Sequence, residues 1–113
     1  MQESVKAGKV VTVEVSPTLS DGTAGDVEPG AITLEFCQKL VDDWVLITED
    51  EISSAIYNTL KYHHKIIEGA AGLAVAAYIK TMDKYKGKNV VIISCGRNIS
   101  MQKLKAIINK HND

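Results

Sequence analysis

Val90-Val91-Ile92-Ile93-Ser94-Cys95-Gly96-Arg97-Asn98-Ile99-Ser100 is the stretch of sequence that decides the fold of this chain. An apolar, β-branched run stops at a small Ser-Cys pair, and Gly, Arg, Asn and a helix-starting Ser follow. This order predicts a strand, a sharp turn and a helix. Open α/β sheets bind their ligands beyond the carboxyl ends of such strands, so the turn is also a candidate site.

Predicted helices and strands alternate along the rest of the chain. We predict strands at residues 9–15, 44–47 and 88–94, and helices at residues 31–41, 48–63, 69–79 and 100–110. The first of these helices has Ile32, Phe36 and Leu40 on one face, and Thr48 with Glu51 fits a capping box that opens the second. The acids Glu49, Asp50 and Glu51 are thereby explained as residues of a helix start. In the last helix we expect an inward stripe of Met101, Leu104, Ile107 and Ile108, with Lys103, Lys105 and Lys110 facing water. This alternation predicts an α/β fold, an open and mostly parallel sheet flanked by helices, with residues 1–113 as a single unit.

Composition limits the classes of function. The 113 residues are 45% hydrophobic with a net charge of −1, and acids and bases are interspersed. No basic footprint for nucleic acid or for an anionic membrane is present. The longest apolar run, residues 69–79, is short of the ~20 residues of a membrane span. With no signal peptide in sight and the two cysteines expected to be reduced, we expect a cytoplasmic protein without nucleic-acid or membrane partners.

Two further stretches carry chemistry. Residues 19–25 read Leu-Ser-Asp-Gly-Thr-Ala-Gly, and residues 66–72 read Ile-Ile-Glu-Gly-Ala-Ala-Gly. The Asp21-Gly22 pair is typical of a turn, and it is also the kind of small, acidic pair found at the rim of a pocket. Glu68 precedes a helix that is apolar all round, so its carboxylate could cap that helix.

These stretches and residues 95–99, in this order, resemble the C-terminal part of the pyridoxal-phosphate (PLP) dependent threonine and serine dehydratases. This family has the tryptophan-synthase-β fold, called fold type II, and serine racemase is a relative. The resemblance runs over nearly all of the chain, including residues 41–48. It implies a cytoplasmic lyase of amino-acid metabolism that is a homo-oligomer with an amino-acid substrate.

The resemblance implies that Cys95 faces the pyridine nitrogen of PLP, with Ser94 as the alternative. A thiol or hydroxyl there leaves the ring near neutral, which suits β-elimination of water. Cys95 could instead be a small buried residue at the end of a strand. The resemblance also places Glu68 in the wall of the cofactor pocket, against the alternative of a helix cap.

Other residues of the family pattern receive weaker roles. Gly96 lets the backbone turn or approach the ring closely, and Asn98 orders the turn through its side-chain amide. Arg97 departs from the family, which has a small residue there, and either faces solvent or meets a substrate carboxylate. The predicted cofactor-binding residues are Cys95, Ser94, Gly96, Glu68, Asp21, Gly22 and Asn98. No metal site is expected, since the adjacent His63 and His64 do not share a helix face.

Two parts of the family machinery have no match in the sequence. The family's Schiff-base Lys lies far upstream of the resembling region, so the Ser4-Val5-Lys6 triplet is interpreted as a chance match. No glycine-rich phosphate loop is present either. We therefore expect no catalytic residue in this chain and interpret it as a C-terminal fragment that is inactive alone. The parent could also be a serine or hydroxyaspartate racemase or dehydratase, and the chain itself could be a non-catalytic binding or dimerisation module or an unrelated small α/β domain.

Overall fold

The computed structural model describes residues 1–111, which form two compact units. The first unit is Met1–Ser16 with Ala24–Val45, and the second is Pro17–Thr23 with the chain from Leu46 onward. Five α-helices lie in the described residues: α1 Gln2–Ala7, α2 Ile32–Leu40, α3 Glu49–His63, α4 Gly69–Thr81 and α5 Met101–His111. Short 3-10 helices occur at Asp21–Thr23 and Met82–Tyr85.

The first unit contains α1 and α2, which contact each other. Helix α1 ends at Gly8, whose φ of 71° is the left-handed conformation that glycine adopts without strain. The buried hydroxyl of Ser4 accepts a hydrogen bond from the backbone N–H of Val11 at 3.1 Å and so holds the segment after the helix. Helix α2 confirms the predicted helix, but the face with Ile32 and Phe36 is exposed rather than buried.

The second unit packs α4 and α5 against α3. Helix α3 begins with the predicted capping box: Glu51 N–H donates to the Thr48 hydroxyl, and Thr48 N–H donates to the Glu51 carboxylate at 2.7 Å. These bonds satisfy backbone donors that a helix start otherwise leaves free. The core that results is made of apolar side chains from α3, from the segment before α4, and from α4 and α5: Ile52, Ile56, Ile67, Ala71, Leu104 and Ile107.

Small residues allow α4 to lie close to α3. A Cβ added to Gly72 would lie 2.7 Å from Cγ1 of Ile56 and 3.4 Å from Cγ2 of Ile52, whose side chains are buried. The apolar helix predicted at residues 69–79 is therefore confirmed, and its lack of side-chain bulk is what permits the contact. In α5 the predicted inward stripe is right for Leu104 and Ile107 but wrong for Met101, which is 76% exposed.

The predicted sheet is the main correction. Residues 1–111 contain no strand, although residues 9–15, 44–47 and 88–94 lack helix as predicted. A strand is defined by its backbone hydrogen bonds to a neighbouring strand. Within the described chain none of these three segments has such a neighbouring strand. In the last of these segments the apolar side chains stay exposed, as for Val91 at 85% and Ile93 at 67%, whereas Ile47 in the second packs against the core.

In the part of the chain that the structure describes, every helix is too short or too polar to cross a membrane.

Candidate functional site

The carboxylate of Glu68 is the centre of the candidate site. Glu68 occupies the N-cap position of α4, but its side chain makes no capping hydrogen bond. Instead its Oε2 accepts the backbone N–H of Asn98 at 2.8 Å, and its own N–H donates to the carbonyl of Gly96 at 3.1 Å. The helix-cap interpretation of Glu68 is therefore wrong, and the residue joins α4 to the turn at residues 96–98.

Two glycines lie against this carboxylate. A Cβ added to Gly96 would overlap the carboxylate of Glu68, so only glycine leaves room for it in this arrangement. A Cβ added to Gly22 would lie 3.9 Å from Oε1 of the same carboxylate. The three sequence stretches singled out above thus meet at one point, through Gly22, Glu68 and the turn that holds Gly96 and Asn98. The turn is held to Glu68 by the backbone N–H of Asn98, and the role of its side-chain amide in ordering the turn stays a prediction.

Asp21 lies at the edge of this cluster. Its Oδ2 is 2.5 Å from Nζ of Lys103 in α5, and this hydrogen bond, with the lysine charge, holds the pKa of the Asp21 carboxyl below its ordinary value. The side chain of Asp21 is 73% exposed, so solvent screens the pair and its contribution to stability is small.

A pocket of about 210 Å³ opens between these groups. It is predominantly polar, and its walls combine the Pro17–Thr23 loop, the N-terminus of α4 and the start of α5. Its lining residues are Leu19, Asp21, Glu68, Gly69, Asn98, Ile99, Ser100 and Lys103. Ser100 caps α5 as predicted, since its hydroxyl accepts the N–H of Lys103 at 3.2 Å.

Cys95 and Ser94 line a second, wider concavity. Its volume is about 630 Å³, and residues 64–67 and 94–97 form its wall without any carboxylate side chain. Both Cys95 and Ser94 are exposed, and the thiol is free, so the interpretation of Cys95 as a small buried residue is wrong. Arg97 is exposed too, in agreement with the solvent-facing alternative.

Sequence reasoning missed two residues that act on this site. Glu49 had a sufficient explanation as an acid in the first turn of α3, yet its carboxylate binds the Pro17–Thr23 loop. Lys103 was expected to face water, and it pairs with Asp21 instead. No local signal identifies such partners, because 30 and 82 residues separate the members of the two pairs.

Comparison with known proteins establishes the family. Residues 1–96 match the model of the pyridoxal-phosphate dependent enzymes, and the chain belongs to that family. It is 40% identical over 110 residues to an L-threonine ammonia-lyase of Thermotoga maritima, and the alignment covers 97% of this chain and 27% of the relative. It is 36% identical over 110 residues to the catabolic L-threonine dehydratase of Escherichia coli K12, with 95% of this chain and 33% of the relative aligned.

Solved structures agree with the fold type. The serine racemase of Dictyostelium discoideum matches with a TM-score of 0.72 at 30% identity, over 88% of this chain and 31% of that protein. Maize serine racemase matches with a TM-score of 0.77 at 24% identity, over 96% of this chain and 34% of that protein, which is a likeness of fold. The chain spans between about a quarter and a third of the length of these relatives.

The residues described here fit one end of PLP. An exposed thiol and hydroxyl at Cys95 and Ser94 can hydrogen-bond a ring nitrogen, whereas the space beside Gly96 is already occupied by the Glu68 carboxylate. A phosphate requires a set of converging N–H donors or cations, which the family supplies from a glycine-rich loop that this sequence lacks. Assignment of Cys95, Ser94, Gly96, Glu68, Asp21, Gly22 and Asn98 to cofactor binding stays a prediction.

Proposed function

We propose that this chain forms the ring-nitrogen side of the active site in a PLP-dependent lyase that removes water from L-threonine or L-serine. Loss of water leaves an enamine, which hydrolyses to a 2-oxo acid and ammonia. The observation that supports this most is the meeting of Gly22, the Glu68 carboxylate and the Gly96–Asn98 turn at one point, in the turn that follows Cys95 along the chain. These segments are far apart in sequence and match the family pattern separately. Cys95 itself lines the neighbouring stretch of surface at residues 94–97.

PLP, when bound, supplies an electron sink for breaking bonds at the substrate α-carbon. The part of this chain is to set the charge state of the ring and to shape its surroundings. The Cys95 thiol can donate a hydrogen bond to the ring nitrogen without transferring its proton, whereas a carboxylate there would favour ring protonation. Gly96 keeps the backbone beside Cys95 free of side-chain bulk, and the N–H of Asn98 fixes the carboxylate of Glu68.

We further propose that the chain, as a C-terminal portion of the catalytic domain, is inactive alone. Removal of the proton at the substrate α-carbon needs a base. The family uses its Schiff-base Lys, and we interpret the one similar triplet in this sequence, Ser4-Val5-Lys6, as a chance match. The purified chain supplied with PLP and L-threonine should release neither 2-oxobutyrate nor ammonia. Turnover above the rate of free PLP would contradict this proposal.

The role of Cys95 can be tested in the complete enzyme that the proposal implies. We expect Cys95→Ser to keep most of the dehydratase activity, since a hydroxyl can make the same hydrogen bond. Cys95→Asp should lower the ratio of elimination to racemisation, because a carboxylate favours a protonated ring. Cys37→Ser is the matched control, as Cys37 lies in the other compact unit. Equal ratios in Cys95→Asp and the control would refute the assignment.

The same experiment can identify the substrate of the complete enzyme, which we propose to be L-threonine. A serine or hydroxyaspartate racemase or dehydratase would use the same ring-side residues, so the Cys95 experiment should be run with L-threonine, L-serine and 3-hydroxyaspartate in parallel. The ratio of 2-oxo acid to D-serine measures which reaction dominates. We expect the 2-oxo acid from L-threonine to dominate; formation of mainly D-serine would favour the racemase parent.

A second candidate function, a binding or dimerisation module, is favoured by one observation. The segment that carries Val91 and Ile93 is largely exposed and pairs with no strand in the described residues. Apolar surface of this kind associates with other surfaces. Sedimentation equilibrium of the chain would show a dimer that Val91→Lys weakens, while the control Leu46→Lys, at another exposed apolar position, would not. A monomer at all concentrations would exclude the dimerisation module.

A further inference from the structure

We propose that Glu49 is a positioning residue of the candidate site: it holds the Pro17–Thr23 loop so that Gly22 reaches Glu68 and Asp21 reaches Lys103. This inference rests on the proposed function for its meaning, since the loop matters because it borders the proposed cofactor site. The contacts themselves involve only residues of this chain.

The carboxylate of Glu49 binds the loop through both oxygens. Oε2 accepts the backbone N–H of Leu19 at 2.7 Å, and Oε1 accepts the hydroxyl of Thr18. Both are hydrogen bonds to a carboxylate, which are shorter and stronger than those between neutral groups. Because Glu49 is in the first turn of α3, the helix dipole also favours its negative charge.

The loop then lies directly on α4. A Cβ added to Gly69 would overlap the carbonyl of Leu19, so the loop backbone and the first residue of α4 are in close contact. Ser20 is 1% exposed, and its backbone N–H donates to the Thr18 hydroxyl at 3.1 Å. The Thr18 hydroxyl therefore links the Glu49 carboxylate to Ser20, two residues further along the loop.

Past Ser20 the loop turns over the site. The N–H of Thr23 donates to the carbonyl of Ser20 at 2.9 Å, which closes the short helix Asp21–Thr23. Asp21 and Gly22 are thereby directed to Lys103 and Glu68 respectively. Glu49 does not itself line the pocket around Glu68 or the concavity at Cys95, and the pocket residue that it binds, Leu19, belongs to the loop. It therefore acts through the loop.

The test measures amide hydrogen exchange on the 15N-labelled chain of 113 residues, without cofactor. In Glu49→Ala we expect exchange at Leu19 and Thr23 to accelerate by about tenfold or more, the factor that loss of hydrogen bonds to a charged group implies. The amide resonance of Gly22 should shift at the same time. Glu49→Gln, which keeps one acceptor oxygen, should restore part of the protection. Asp50→Ala is the matched control, because it removes an acid from the same helical turn whose partner is Lys110 rather than the loop.

Three results would overturn the inference. The first is unchanged exchange at Leu19 in Glu49→Ala, and the second is an equal change in Asp50→Ala. The third is acceleration at Ile56, in the core of α3, by the same factor as at Leu19, which would mean general destabilisation. Since no PLP is present, these results are independent of whether the proposed cofactor site is correct, which the Cys95 variants test separately.

Discussion

Replacement of Gly72 by alanine tests whether the close packing of α3 and α4 is as tight as the structure shows. The added methyl group would lie 2.7 Å from Cγ1 and 3.2 Å from Cδ1 of Ile56. Ile56 is 0% exposed, and a β-branched side chain in a helix has essentially one χ1 rotamer. The Ile56 side chain therefore cannot rotate away, and the two helices must separate.

The net effect follows from two opposed contributions. Overpacking of a filled core costs about 1–3 kcal/mol, and the clash here at the stem of Ile56 argues for the upper half of that range. Glycine to alanine in a helix contributes about 1 kcal/mol in the favourable direction. We expect Gly72→Ala to lower the free energy of unfolding by about 1–2 kcal/mol.

Urea unfolding followed by circular dichroism would measure this change, provided that the m-values of the wild type and the variant are equal. The decisive experiment is a double-mutant cycle with Ile56→Ala, which alone should cost about 2–5 kcal/mol. In that background the methyl group that Gly72→Ala adds enters vacated space, so the second substitution should become stabilising, by about 1 kcal/mol. If Gly72→Ala had the same effect in both backgrounds, the packing argument would be refuted.

Three further predictions concern the helix cap, the ion pair and the exposed thiol. Thr48→Ala should lower stability by about 1 kcal/mol in urea unfolding, because Glu51 loses its partner in the capping box, and an unchanged midpoint would contradict this. The pKa of Asp21 is lowered, so its pairing with Lys103 stabilises the fold fully above pH 3.8, the ordinary carboxyl pKa, and this stabilisation is lost as the pH falls further. On acidification through that region the wild type should lose more stability than Asp21→Asn. Parallel curves of stability against pH for the two proteins would count against the pair. In the native chain a neutral thiol reagent should modify Cys95 before the half-buried Cys37, as peptide mapping by mass spectrometry can show, and the reverse order would be inconsistent with the structure.

The helices could be predicted from the sequence because their signals are local. Spacing of Ile52 and Ile56, the Thr48 capping box and the alanine-rich run each specify a helix within a few residues. The sheet prediction went wrong for a different reason. A β-branched run such as residues 88–94 reports only that the chain is extended, and strand pairing depends on a neighbour that the run does not encode.

Part of the cluster around Glu68 could be predicted from the sequence, but its geometry could not. Asp21, Glu68 and Gly96 were all chosen from the sequence, and the structure brings the segments that hold them together. The direction of the Glu68 side chain could not be predicted, because a helix cap and a contact with Asn98 are equally compatible with an acid at that position. The contact of Glu49 with the loop could not be predicted for a similar reason, since an acid in the first turn of α3 is already explained by the helix start.

The residues that the Pro17–Thr23 loop contacts lie far from it in the sequence, and this has a consequence for the order of folding. Leu19 pairs across 30 residues and Asp21 across 82, whereas the contacts within α3 are local. Long chain closures carry an entropic cost that is recovered only once both ends are in place. The loop should therefore dock after the three helices of its unit have formed, beyond the rate-limiting barrier. Variants of the loop and of Glu49 would then accelerate unfolding while leaving the refolding rate nearly unchanged.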